Sequence, residues 1–144
     1  MLCREIMKRH VHTATVGMTA KEAARLMSEN QIGFLPICDA GQHPIGVVTD
    51  RDLALRICAE GLPAATTLLG AVMTPDPLSC RDESPLEHAE RLMLKHKRRR
   101  ILLLDENERL VGLITLADVV HHEDPFQVAH FVRALTEKRL RVEK

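Results

Sequence analysis

Gly46-Val47-Val48-Thr49-Asp50-Arg51-Asp52 reads as a buried strand, Ile45 to Val48, opening directly into a helix that starts near Asp50. A helix start leaves backbone N–H groups without intrahelical partners, which suits a phosphate or a sugar. Asp52 can accept hydrogen bonds from a vicinal diol, and Thr49 can donate to a phosphate or accept from the sugar. Thr and Asp are also ordinary helix caps, so a single occurrence would carry little. Here the pattern occurs twice: Gly112-Leu113-Ile114-Thr115-Leu116-Ala117-Asp118 repeats it at an offset of 66 residues.

Laid over itself at that offset, the chain matches without a gap from Met7 to Asp52. Met7 falls on Met73, Ala23 on Ala89, Arg25-Leu26-Met27 on Arg91-Leu92-Met93, and Asp39 on Asp105. A repeat of this size is one supersecondary unit that needs its copy to finish a core. In the first copy, Val11 to Val16 reads as a short extended segment, and Thr19-Ala20-Lys21-Glu22 as a capping box. Ala20, Ala23, Ala24 and Met27 then form one apolar helical face running to about Asn30. Gly33 to Cys38 is an apolar strand, Asp39 to Pro44 a turn, Ile45 to Thr49 the returning strand, and Asp50 to about Ala59 a helix. The plan is α+β, written β-α-β-β-α.

The second copy repeats it. Ser84-Pro85-Leu86-Glu87 reads as a capping box with proline at the first helical position. Arg100 to Leu104 and Leu110 to Thr115 are its strand pair, and Leu116 to His122 begins its last helix. The expected organisation is a first domain over 1–60, a linker over 61–69, a second domain over 70–122, and a C-terminal helix and tail over 123–144. Val128, Phe131, Val132 and Leu135 mark that helix as amphipathic, able to dock on its own domain or on a partner. The basic tail from Lys138 to Lys144 is expected to fray.

Composition narrows the function classes. The chain has 144 residues, 45% of them apolar, with no Trp or Tyr and three Phe, so its core is aliphatic. Aromatic stacking platforms for single-stranded nucleic acid are thereby disfavoured. Twenty basic and twenty acidic side chains cancel, leaving no global field for nucleic acid or membrane. No apolar run is long enough to span a bilayer, and the first residues lack the order of a signal peptide; the cytoplasm is the expected location. Four cysteines without a C-x-x-C pair are expected to be reduced thiols.

The repeat resembles a pair of cystathionine β-synthase (CBS) domains over roughly residues 2 to 122. Ile6-Met7 and Val72-Met73-Thr74-Pro75 resemble the family's entry segment, Ile32 to Ile37 its Gly-x-Leu-Pro strand, and Gly46 to Asp52 its Gly-apolar-apolar-Thr-x-Arg-Asp turn. The layout is also similar to small bacterial proteins of the hypoxic response type. The resemblance implies two units packed about a pseudo-two-fold axis, a homodimer, and a regulatory module without catalytic residues or a required cofactor. It further implies a cleft for an adenosyl ligand such as AMP, ATP or S-adenosylmethionine, with signalling to an unknown partner protein. Carried over by position, Asp52 with Thr49 and Asp118 with Thr115 would face the ribose. The base would lie against Thr13 to Thr15 with Gly33, Phe34 and Pro36, or Ser79 to Arg81 with Arg99 to Leu102. The second copy departs from the pattern, with Leu102 in place of proline and Ala117 in place of Arg51. The first cleft is therefore the stronger candidate, its phosphate neutralised by Arg51 and by Arg99 or Arg100 across the interface. The alternative is a nucleotide-free dimeric stress or interaction protein that docks through its C-terminal helix.

Other motifs read more plainly. Lys95-His96-Lys97-Arg98-Arg99-Arg100 resembles a nucleic-acid cluster, but it follows a helix C-terminus, where cations complement the dipole. His10, His12, His121 and His122 lack the convergent spacing of a metal site, so no metal is expected. No nucleophile–base pair suggests an enzyme.

Overall fold

The computed structural model describes residues 1–142 of the chain. The elements in order are α1 (Cys3–Ile6), α2 (Ala20–Asn30), β1 (Phe34–Cys38), β2 (Pro44–Thr49), α3 (Asp50–Leu53), a turn of π-helix (Ala54–Cys58), α4 (Leu69–Val72) and β3 (Thr74–Pro75). They continue with β4 (Ser79–Arg81), α5 (Leu86–His96), β5 (Arg100–Leu104), β6 (Leu110–Thr115), α6 (Leu116–His122) and α7 (Pro125–Val142). Two sheets result, ordered β1-β2-β3 and β4-β5-β6.

Two compact units form, and they are not the two sequence copies. The first is His12–Pro77; the second joins Met1–Val11 to the residues from Leu78 onward. The compact units thus cut across the sequence bounds of 1–60 and 70–122, because each copy's entry segment completes the other copy's sheet. Thr74 pairs with Val47 and Pro75 with Gly46 at the open edge of β2. In the second unit Lys8 occupies the equivalent edge, its N–H and C=O both bonded to Leu113 of β6 at 2.9 and 3.0 Å. The glycine of each turn motif follows from this. A Cβ on Gly46 would lie 2.5 Å from Met73 Sδ, and one on Gly112 would lie 2.8 Å from Met7 Cγ and closer still to its sulfur. Only a residue without a side chain lets these methionines lie flat on the strand.

Each unit has its own aliphatic core. In the first, Ala20, Ala23 and Met27 of α2 pack with Leu35, Ile37, Val48, Ile57, Leu69 and Val72. Ala24, expected on that face, is exposed, since the buried stripe follows i, i+3, i+7 and leaves it to one side. Thr19 caps α2 by accepting from Glu22 N at 3.1 Å. In the second unit the expected Ser84 cap does not form. Pro85 is the residue before α5, extended and bridged to Leu2, and Met1 O accepts from Leu86 N at 2.8 Å. Thr19 falls on Pro85, which has no hydroxyl, so His88 N, the counterpart of Glu22 N, donates to Pro85 O at 3.0 Å instead; the bond from Leu86 N to Met1 O repeats that from Ala20 N to Thr67 O in the first unit.

The expected strand over Val11 to Val16 shrinks to a single bridge between Ala14 and Ile37. Its counterpart β4 is a full parallel partner of β5, with Leu102 N donating to Leu78 O at 3.0 Å. Pro36 stands where Leu102 does and has no N–H to give. The helix expected from Asp50 to Ala59 tightens and then widens, α3 giving way to the π turn closed by Ala59 N on Ala54 O. The last helix, α7, lays Phe131 and Leu135 into the second unit's core, and Lys97 Nζ donates to Ala134 O. Its backbone stays helical to Val142, so the fray expected from Lys138 does not begin there; Glu143 and Lys144 lie outside the described residues. Among the described residues no helix is long and apolar enough to cross a membrane.

Candidate functional site

Both strand-to-helix turns close as reciprocal caps. In the first unit, Asp52 Oδ2 accepts from Thr49 N at 2.9 Å while Thr49 Oγ1 accepts from Asp52 N at 3.1 Å. In the second, Asp118 Oδ2 accepts from Thr115 N at 2.8 Å, and Asp118 N points at Thr115 Oγ1 at 3.4 Å. Thr and Asp at this spacing do what capping residues do. Capping, however, uses only one carboxylate oxygen. The other, Oδ1, faces a cation in each unit: Arg56 Nη2 at 3.4 Å from Asp52 and Lys8 Nζ at 3.6 Å from Asp118.

The two carboxylates are not equally available. The side chain of Asp118 is 12% exposed against 18% for Asp52. Thr115 Oγ1 also donates its proton to Asp118 Oδ2 at 3.0 Å. Thr49 makes no such bond among the described residues, so its hydroxyl keeps a proton to offer a ligand. Both turns thus carry a fixed carboxylate, and the first is the more open of the pair.

The remaining candidate residues fall in the same two groups. Asp50 N donates to Gly33 O at 3.0 Å, which ties the β1 approach to the turn. A Cβ on Gly33 would lie 2.6 Å from Asp50 Oδ2, so glycine lets the carboxylate fold over the chain. Arg99 occupies the equivalent place and is tolerated, because Leu116 rather than an aspartate stands opposite and bonds Arg99 O at 2.8 Å. Phe34 is half-buried, Pro36 is buried, and Thr13 is exposed. Arg51 projects from the first turn of α3, exposed and without an ion-pair partner among the described residues. Arg99 and Arg100 are exposed in the second unit.

Arg56 and Lys8 were not anticipated. Arg56 had a signal, since it follows Asp52 by four residues on a helix. It also donates to Val72 O at 2.7 Å, bridging the carboxylate to α4. Lys8 had none, because it reaches Asp118 only through the exchanged N-terminal segment. The hairpin turns between the strands show the repeat again. Asp39 Oδ1 accepts from His43 N and Gly41 N, and Asp105 Oδ1 from Arg109 N and Asn107 N, which holds both carboxyls below their ordinary range. Among the described residues no group of three or more His, Cys, Asp or Glu could hold a metal ion.

Comparison with known proteins gives a family match to the CBS domain at residues 3–58 and 69–124. The chain is similar to the CBS domain-containing protein YhcV of Bacillus subtilis, 35% identical over 81% of each chain. It is also similar to Hypoxic response protein 1 of Mycobacterium tuberculosis, 31% identical over 92% of each. The crystal structure of the latter type of protein, solved with two coordinated zinc ions, superposes with a TM-score of 0.76 over 86% of this chain and all of that one. A solved CBS domain pair of protein MJ0100, in complex with 5-methylthioadenosine and S-adenosyl-L-methionine, shares the fold at 24% identity. Its TM-score is 0.73 over 84% of this chain and 98% of that one. The first three curated relatives are matched over 63% to 92% of their own lengths, and two longer ones over only 23% and 24%.

Proposed function

This chain belongs to the CBS domain family, and from that membership we propose that it is a non-catalytic sensor that binds an adenosyl nucleotide, AMP or ATP, at Asp52 and Thr49. Asp52 accepts the ribose hydroxyls, the Thr49 hydroxyl donates to ribose or phosphate, and Arg51 neutralises the phosphate. One observation carries the reading. The turn fixes Asp52 through Oδ2 and leaves Oδ1, held only by the longer 3.4 Å ion pair to Arg56, beside a proton donor on Thr49 for a diol to engage. The adenosyl ligands held by a family member of the same fold support the ligand class. Thr115 and Asp118, with Arg99 and Arg100, make a weaker second site, since Thr115 already spends its proton on Asp118. The ligand acts by preferring one arrangement of a cytoplasmic homodimer, which a partner protein reads.

Calorimetric titration with AMP, ATP, NADH and S-adenosylmethionine tests this. The expected result is saturable binding of AMP or ATP, weakened roughly ten- to hundredfold in Asp52→Asn. Absence of heat with all four ligands rejects the proposal and favours the docking alternative. On α7, Phe131 and Leu135 are spent within its own unit, while Phe126 stays exposed for such docking.

A further inference from the structure

Away from both carboxylates, the second unit holds two thiols side by side. Cys3 opens α1 and is fully buried; Cys80 lies in the middle of β4 and is half-buried against the same core. Both pack on the same core, close enough for each to shift the other's ionisation, and Cys3 Sγ donates to Pro85 O at 3.7 Å. The backbone holds them there: Cys3 N donates to Ser84 O at 2.9 Å, Arg4 N to Asp82 O at 2.8 Å, and Leu86 N to Met1 O at 2.8 Å. The other two cysteines are isolated, Cys38 in the interior and Cys58 on the surface.

We propose that Cys3 and Cys80 form a reversible disulfide that locks the exchanged N-terminal segment onto the unit it completes. With hydrogen peroxide as oxidant, both S–H bonds break and one S–S bond forms. The O–O bond takes the two electrons and two protons and leaves as two waters. A low-molecular-weight disulfide gives the same product by exchange, releasing two thiols. The two thiols perturb each other, Cys3 being held below its ordinary range and Cys80, also raised by burial, pushed above it. A pair of thiols, with no third ligand among the described residues, suits a disulfide better than a metal. The bond would close a loop of roughly 80 residues and pin the segment that carries Met7 to Gly112 and Lys8 to Asp118.

The test uses the full chain carrying Cys58→Ser, equilibrated in glutathione buffers of increasing potential, then alkylated under denaturing conditions and peptide-mapped. Oxidation is expected to yield one Cys3–Cys80 cross-linked peptide with Cys38 still alkylated. The melting temperature should rise by on the order of 10 °C and return on addition of dithiothreitol. Cys80→Ser should abolish the rise, while Cys38→Ala should keep it. Full alkylation of Cys3 and Cys80 at every potential overturns the proposal, as does a cross-link that involves Cys38.

Discussion

The exchange of entry segments makes a quantitative prediction that a linear reading of the repeat contradicts. Gly112→Ala places a Cβ 2.8 Å from Met7 Cγ, closer still to Met7 Sδ, and 3.1 Å from Lys8 O. Ordinary contact begins at 3.4 Å, so the thioether must retreat by about 1 Å while the backbone yields only a few tenths. Overpacking of this kind costs about 1–3 kcal/mol. Met7 is 7% exposed, and Met7→Ala alone should cost roughly 2–4 kcal/mol. In the double variant the clashing atoms are gone, so the alanine at 112 costs almost nothing and the pair couples by about 1–3 kcal/mol. Gly46 and Met73 should behave alike, since a Cβ there meets Met73 Sδ at 2.5 Å. The crossed pairs, Met7 with Gly46 and Met73 with Gly112, should be additive. Urea unfolding of the single and double variants, compared by midpoint and slope, measures all four couplings. Coupling in the crossed pairs, or additivity in the direct ones, would refute the exchanged architecture.

Two other expectations follow from the second unit. Burial raises the Glu90 carboxyl to about 8, helped by a shared proton with Glu123 and by the charges of Glu123, Glu87 and Cys3. A carboxyl raised in the folded state contributes stability that is full below its ordinary 4.5 and lost as pH climbs through 8. The full gap would be worth near 5 kcal/mol, and half-burial with solvent screening brings the loss to roughly 2 kcal/mol. Urea midpoints between pH 5 and 9 should therefore fall in the wild type and stay flatter in Glu90→Gln; equal slopes would reject the assignment. Phe131→Ala, in the core, should cost about 3–5 kcal/mol, whereas Phe126→Ser, at 86% exposure, should change stability by less than about 0.5 kcal/mol. Calorimetric melting distinguishes them, and a reversed order would mean that α7 is seated by its other face.

Much of the fold was legible because its signals are local. The runs Arg100 to Leu104 and Leu110 to Thr115 became β5 and β6 at the residues expected, and Thr19 to Glu22 fixed the start of α2. The paired turn motifs close as helix caps, the ordinary role that Thr and Asp at this spacing also allow. What local reading missed was non-local or depended on register. Ser84-x-x-Glu87 satisfies the pattern of a capping box, yet the repeat puts Pro85 at the cap, and His88 N falls back on the Pro85 carbonyl. Pro36 was read as part of a ligand slot; its absent N–H also cost the first unit the strand that β4 gives the second. Lys8 and Arg56 emerged only once the carboxylates had a second oxygen to place.

The offset of 66 hides the exchange for a physical reason. Both copies carry the same entry segment, so Met7 and Met73 are equally good partners for either glycine by residue type alone. Geometry decides between them. Within the first copy only a short stretch separates Met7 from Ala14, which is bridged to Ile37 on the β1 side of its sheet. The edge of β2 that Thr74 and Pro75 occupy lies on the opposite side of β1-β2-β3. A segment entering at β1 would have to cross the sheet to reach that edge, whereas the chain leaving the π turn arrives there through α4. The unpaired N–H and C=O groups of β2 are thus satisfied from downstream, and those of β6 by the only equivalent segment left, the N-terminal one. Duplication here supplies the missing sheet edge and brings Asp118 its cation, since Lys8 rides on the returning segment, whereas Arg56 stands beside Asp52 by helical spacing and is braced by the Val72 carbonyl.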